Sequence, residues 1–191
     1  MKITATKRKR EWNIKFIIMV GPSGSGKSVV GAELAKRIDW DYVDTDDKIS
    51  SEVGLDIVHI FEKHGQEYFR NLEEKAITEI FANMERRVIA TGGGLPTIPG
   101  MMERLNNSGI TIYLKASVEE LWNRLAGNPG ELSRRPLLRQ AGRSGLEKML
   151  MNREVIYNSC KHIIETDGMN KKSVVNNLIS KGLAKYRKYE T

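Results

Sequence analysis

The chain has 191 residues, 29% charged and 40% apolar, a formal charge of +7 and a single cysteine, Cys160. That length suits one domain with its own core, and one cysteine excludes an intramolecular disulfide framework. No run approaches the ~20 apolar residues of a bilayer span and the N-terminus lacks the apolar stretch of a secretory signal, so a cytoplasmic chain with no membrane partner is expected.

Residues 1–13 carry Lys2, Lys7, Arg8, Lys9 and Arg10 against Glu11, and residues 181–191 carry Lys181, Lys185, Arg187 and Lys188 against Glu190. Residues 14–180 between them sum to zero, so the positive excess belongs to two basic, solvated and mobile ends and no nucleic-acid partner is expected. Residues 14–20 form a continuous apolar run of the kind buried in a parallel sheet. Directly after it, Gly21-Pro22-Ser23-Gly24-Ser25-Gly26-Lys27-Ser28 fills the pattern GxxxxGKS, and residues 28–38 continue as a helix with Val29, Val30, Ala32, Leu34, Ala35 and Ile38. Strand, glycine loop and helix in that order are the context a phosphate loop requires. Its glycines let successive backbone N–H groups point inward at a helix N-terminus, so Gly24, Ser25, Gly26, Lys27, Ser28 and Val29 are expected to cradle a nucleoside triphosphate. Lys27 reaches the β- and γ-phosphates and Ser28 offers a hydroxyl to magnesium.

Residues 40–43 read as a second strand, ending in Asp44-Thr45-Asp46-Asp47. Short helical stretches at 48–53 and 57–64 precede a long helix over 66–83, whose Phe69, Leu72, Ala76, Ile77, Ile80 and Phe81 keep helical spacing. A strand at 88–90 stops at Thr91-Gly92-Gly93-Gly94, then come a helix at 99–107 with proline in its first turn, a strand at 110–114 and a helix at 118–125. Residues 127–145 break the pattern with four glycines, two prolines and four arginines, the signature of a mobile functional lid. A helix at 146–159, a strand at 162–165 and a helix at 172–179 complete the chain. Around Cys160 nothing has metal-ligand spacing, so it is read as buried and inert.

Five strands alternating with helices describe a doubly wound α/β fold, a parallel sheet with helices on both faces, in a single domain over 14–180. Its ligands sit beyond the carboxyl ends of the strands, where the phosphate loop, the Asp44 cluster and the three glycines all fall. Asn170-Lys171-Lys172-Ser173 lacks the aspartate of a guanine-specifying motif. The third strand also ends in threonine and glycine, where many phosphate-loop ATPases place a magnesium-ordering aspartate, so Asp44 and Asp46 are the acids available for that task.

In order and spacing these segments resemble the shikimate kinase family of phosphate-loop small-molecule kinases. The resemblance runs from about residue 14 to about residue 179. It rests on the phosphate loop, Asp44-Thr45-Asp46, Phe61-Glu62-Lys63-x-Gly65, Phe69-Arg70-x-Leu72-Glu73, Thr91-Gly92-Gly93-Gly94, Arg135-Pro136-Leu137-Leu138, and Arg153 four residues before Tyr157. It implies a P-loop NTPase fold of nucleoside monophosphate kinase type, ATP and Mg2+ as cofactors, and shikimate as acceptor in aromatic amino acid biosynthesis.

By that resemblance Asp46 holds the reacting 3-hydroxyl and accepts its proton, while Asp44 orders magnesium through water. Arg70 and Arg153 fork onto the substrate carboxylate, with Gly92, Gly93 and Gly94 giving the ring close backbone approach. Arg135 swings over the phosphates with the lid, and Arg134 beside it competes for the same assignment. Arg124 stacks on adenine, with residues 166–170 lying against the base. A carboxylate bearing hydroxyls does need cations and an acid in its site. Each residue also has a plainer role: Asp46 as a helix cap before Lys48, Arg70 as the i,i+4 partner of Glu74, Arg153 as a solvated helix residue. A monomer is expected.

Pro22, Ser23 and Ser25 stand at phosphate-loop positions where the family more often has methionine and alanine, Val29 replaces its frequent threonine, and Ser-Gly-Ser-Gly-Lys-Ser also resembles gluconate kinases. A gluconate-type sugar-acid kinase is therefore the first alternative and a non-catalytic ATP-binding module the second. The paired aspartates and the 92–94 glycines favour shikimate over gluconate, and the complete Lys27, Ser28, Asp44, Asp46 and Arg135 positions argue against a non-catalytic module.

Overall fold

The computed structural model describes residues 14–128, 130, 132 and 136–183. The basic ends, except residues 181–183, and Arg134 and Arg135 lie outside them. Five strands, β1 (Phe16–Val20), β2 (Asp41–Asp44), β3 (Arg87–Ala90), β4 (Ile110–Lys115) and β5 (His162–Glu165), form one parallel sheet in the order β2-β3-β1-β4-β5. The central strand pairs Ile18 with Ile89 on one side and with Thr111 on the other.

Strand residues alternate faces, and here both faces are covered, which is why the strands read as unbroken apolar runs. Ile17 and Met19 pack under α1 (Lys27–Ile38) and α7 (Lys171–Ser180), in a core with Leu34, Val88, Ile112, Val174 and Leu178. Phe16, Ile18 and Val20 face the opposite layer. That layer holds the C-terminal half of α3 (Ile57–Ala82), α4 (Met101–Ser108), α5 (Val118–Ala126) and α6 (Pro136–Tyr157). A smaller core of Ile49, Ile60, Phe69 and Ala76 joins α2 (Thr45–Val53) to α3. Among the described residues no helix is long and apolar enough to cross a membrane.

The two helices expected at 57–64 and 66–83 are both present and run together as α3, separated at Gly65, whose φ of 80° and ψ of 178° are not helical. One expectation changes: the irregular segment expected over 127–145 ends early. α6 starts at Pro136, a residue pre-set for a first helical turn, and is interrupted at Gly142 with φ 62°. Glycine and arginine density masked the helix there.

The bend tilts the start of α3 onto α2 while its later turns stay on the sheet, which sets where Arg70 and Glu73 enter the site. A Cβ on Gly65 would meet nothing within 4 Å, so substitution acts through the backbone alone. Gly65→Ala is expected to cost about 1–3 kcal/mol in urea unfolding. An unchanged midpoint would mean that the bend moves freely to another residue.

Candidate active site

The phosphate loop leaves β1 and enters α1 through Gly24 (φ 83°) and Gly26 (φ 89°), the latter being the N-cap of α1. L side chains resist that left-handed geometry, so the glycines are what let the loop curl around an anion. Lys27 is 8% exposed and curls back over the loop, its Nζ donating to the Pro22 carbonyl at 2.9 Å. Ser28 and Val29 stand exposed at the loop's outer end. Ser25 faces inward, its hydroxyl buried and without a hydrogen-bond partner.

Ser28 Oγ donates to Asp44 Oδ2 at 2.6 Å. Asp44 closes β2 and its other oxygen accepts from the Asp46 N–H at 2.9 Å, which makes Asp44 the N-cap of α2. The capping role weighed for Asp46 thus belongs to Asp44, and Asp46 lies in the first turn of α2 with its side chain turned to the site. The Tyr42 hydroxyl donates to Asp44 Oδ2 at 3.4 Å, and burial, reinforced by the Asp44 charge, raises the Tyr42 pKa.

Beyond β3 the glycine segment is anchored on both sides. Thr91 N and Oγ1 both donate to the Met19 carbonyl, and Gly92 N donates to Thr45 Oγ1 at 2.8 Å. A Cβ on Gly92 would lie 2.5 Å from Asp46 Oδ1 and 2.7 Å from Glu73 Oε1, and one on Gly94 would overlap the Arg70 guanidinium. Two carboxylates and a guanidinium therefore occupy the volume that side chains at 92 and 94 would fill. The Gly93 carbonyl accepts from the Tyr157 hydroxyl at 2.6 Å and from Arg153 Nη1 at 3.4 Å.

Arg70 pairs with Glu73 one turn along α3, and not with Glu74 as its plainer role required. Glu73 is wholly buried, and its Oε1 has no hydrogen-bond partner. Burial outweighs the neighbouring Arg70 charge and pushes the Glu73 carboxyl up to about 7, with Asp46 adding to the rise and Arg153 opposing it. Arg153 is half-buried at this cluster and does not stand in solvent.

On the other side of the phosphate loop, Arg124 of α5 donates from Nε to Glu120 at 2.8 Å and from Nη2 to the Thr166 carbonyl at 2.7 Å. Cys160 is buried, its thiol pushed up to about 12 by that burial. Among the described residues no cluster of three or more His, Cys, Asp or Glu could hold a metal.

The described candidates thus fall into three neighbouring groups at the carboxyl ends of the strands: Gly24 to Val29 with Asp44; Asp46, Arg70, Gly92 to Gly94 and Arg153; and Arg124 with the loop after β5. Arg135 lies outside the described residues. Glu73, Thr45 and Tyr157 carry no role from the sequence, yet each is bonded into the second group, through Arg70, Gly92 and Gly93 respectively. For Glu73 a signal existed: with Phe69, Ala76, Ile77 and Ile80 it lies on the apolar stripe of α3, where an unpaired carboxylate has no place.

A family model described as Shikimate kinase matches residues 23–182. The shikimate kinase of Francisella tularensis subsp. holarctica is 37% identical over 166 residues, covering 86% of this chain and 92% of that protein. A solved shikimate kinase from Acinetobacter baumannii, in complex with shikimate, superposes with TM-score 0.83 at 30% identity, over 90% of this chain and 94% of that one. A gluconokinase from Sinorhizobium meliloti reaches TM-score 0.56 at 16% identity over 88% and 93%, a likeness of fold alone.

The Glu73 environment predicts a pH effect. Its carboxyl is raised from 4.5 to about 7 on folding, so the folded state holds a proton there that the unfolded chain releases. Its stabilising contribution is full below about pH 4.5 and is lost as pH rises through about 7. Thermal unfolding of Glu73→Gln should show a smaller fall in Tm between those pH values than wild type, and equal falls would refute the raised pKa.

Proposed function

Because the chain belongs to the shikimate kinase family, ATP-dependent phosphotransferases, we propose that it transfers the γ-phosphate of ATP to the 3-hydroxyl of shikimate with the residue roles below. The observation that carries the proposal is the convergence of Asp46, Arg70 and Arg153 on the 92–94 glycines, next to the phosphate loop.

In this reading the loop amides and Lys27 hold the β- and γ-phosphates. Ser28 Oγ and the Asp44 carboxylate are hard oxygen donors 2.6 Å apart at the loop's end, a set that fits magnesium, which keeps most of its waters and takes few protein ligands. Magnesium bound there neutralises phosphate charge. Asp44 would act through water, since its oxygens also serve Ser28 and the α2 cap.

Arg70 and Arg153 bind the shikimate carboxylate, and the absent Cβ atoms at 92 and 94 let the ring approach. The 3-hydroxyl oxygen then forms its bond to the γ-phosphorus as the bond to the bridging oxygen of ADP breaks, and Asp46 takes the hydroxyl proton. Glu73 orients Arg70 from below. Arg135, at the head of Arg135-Pro136-Leu137-Leu138, adds positive charge as the segment between α5 and α6 closes over the phosphates and excludes water. Residues 14–180 act as one kinase domain, and a cytoplasmic monomer is part of the proposal, one buried cysteine suiting a reducing compartment.

ADP release in a coupled assay should depend on shikimate and not on gluconate. Lys27→Ala and Asp46→Asn should each lower kcat by about 10²-fold or more, while Arg153→Ala raises the shikimate KM and leaves the ATP KM unchanged. Wild-type kcat in Asp46→Asn would remove the proton-accepting role, and gluconate-dependent turnover would replace the acceptor.

A further inference from the structure

α5 opens on Ser117-Val118-Glu119-Glu120, the spacing of a capping box. In that motif the serine oxygen serves the N–H of the third helical residue, and that residue's carboxylate reaches back to the serine N–H. Half of it is made: Ser117 Oγ accepts from Glu120 N at 3.2 Å. The other half is taken over, because the Ser117 N–H donates to Asp167 Oδ1 at 2.9 Å. Asp167, on the loop after β5, thus frees the Glu120 carboxylate, which turns along α5 and accepts from Arg124 Nε at 2.8 Å.

The far side of the same guanidinium is held by that loop. Nη1 donates to Thr166 Oγ1 at 3.3 Å and Nη2 to the Thr166 carbonyl at 2.7 Å. Thr166 is itself fixed, 1% exposed, with its N–H and hydroxyl both donating to the Lys115 carbonyl at the end of β4. All three guanidinium nitrogens are engaged from two elements. In-plane bonds of that kind fix the orientation of the plane and leave its faces for stacking. α5 also lies against the phosphate loop, since a Cβ on Gly24 would sit 3.0 Å from the Leu121 carbonyl and 3.0 Å from Leu125 Cγ.

We propose that Glu120 is a positioning residue for the nucleotide base: released from its capping task by Asp167, it sets the Arg124 guanidinium plane on which the adenine of ATP stacks. This rests on the reading of Arg124 as the base contact. An i,i+4 ion pair on a partly exposed helix adds little to stability, so removing the carboxylate leaves the fold intact.

The test compares wild type, Glu120→Ala and Arg124→Leu by steady-state ATP KM at saturating shikimate, and by the inhibition constant of inorganic tripolyphosphate, a competitor without a base. Glu120→Ala should raise the ATP KM by about fivefold and Arg124→Leu by about tenfold, with the tripolyphosphate constant unchanged in both. If Glu120→Ala weakens tripolyphosphate as much as ATP, the residue supports the phosphate loop and the proposal is overturned. If Arg124→Leu raises the ATP KM and Glu120→Ala does not, positioning by Glu120 is overturned while Arg124 stands. If neither variant changes it, the reading of Arg124 fails and the proposal with it.

Discussion

The proposed acceptor side of the site depends on residues 92 and 94 having no Cβ. A methyl group at 92 would clash with the carboxylates of Asp46 and Glu73, at 2.5 and 2.7 Å, and one at 94 would overlap the Arg70 guanidinium. The glycines thus admit three charged groups into a space where packed proteins place side-chain carbon. Burial makes such an assembly costly unless the charges satisfy one another, and Arg70 with Glu73 does so in part. The remaining Glu73 oxygen is unpartnered, and the carboxyl is raised to about 7. In the proposed reading, the remaining cationic capacity of Arg70 and Arg153 serves the anionic acceptor, beside Asp46 in the first turn of α2.

The donor side is joined to it through one residue. Asp44 accepts from Ser28 at the end of the phosphate loop and from the backbone of Asp46 at the start of α2, so a single carboxylate links the loop to the residue proposed to accept the proton. β2 and β3 are neighbours in the sheet, Asp44 pairing in register with Ala90, which brings Asp46 over Gly92. The same edge ends β4 and β5, where the loop after β5 meets α5. The proposed donor, acceptor and base contacts therefore share one edge, the carboxyl ends of the strands, as open parallel sheets favour.

Much of this was legible because buried parallel strands announce themselves as apolar runs and glycine loops follow them at fixed places. The five strands appear within about two residues of their expected bounds. Gly65 likewise reads as the break between two helices that its non-helical backbone makes it. What escaped were features set by tertiary burial. Pro136 starts a helix inside a stretch whose glycines suggest none. Glu73 receives no role, and Arg70 is offered Glu74 as its plain partner, because sequence spacing gives no depth, although the place of Glu73 on the apolar stripe of α3 carries the signal. Asp44 rather than Asp46 caps α2, since the strand runs one residue further than its apolar pattern does.

The central claim is that an empty Cβ position at 92 creates the acceptor site without serving the donor. The most direct measurement is kcat/KM for shikimate in Gly92→Ala, with the ATP KM measured alongside. The methyl group should displace Asp46 and Glu73 and lower kcat/KM for shikimate by about 10²-fold, with the ATP KM held. A kcat/KM equal to wild type in the folded variant would contradict it.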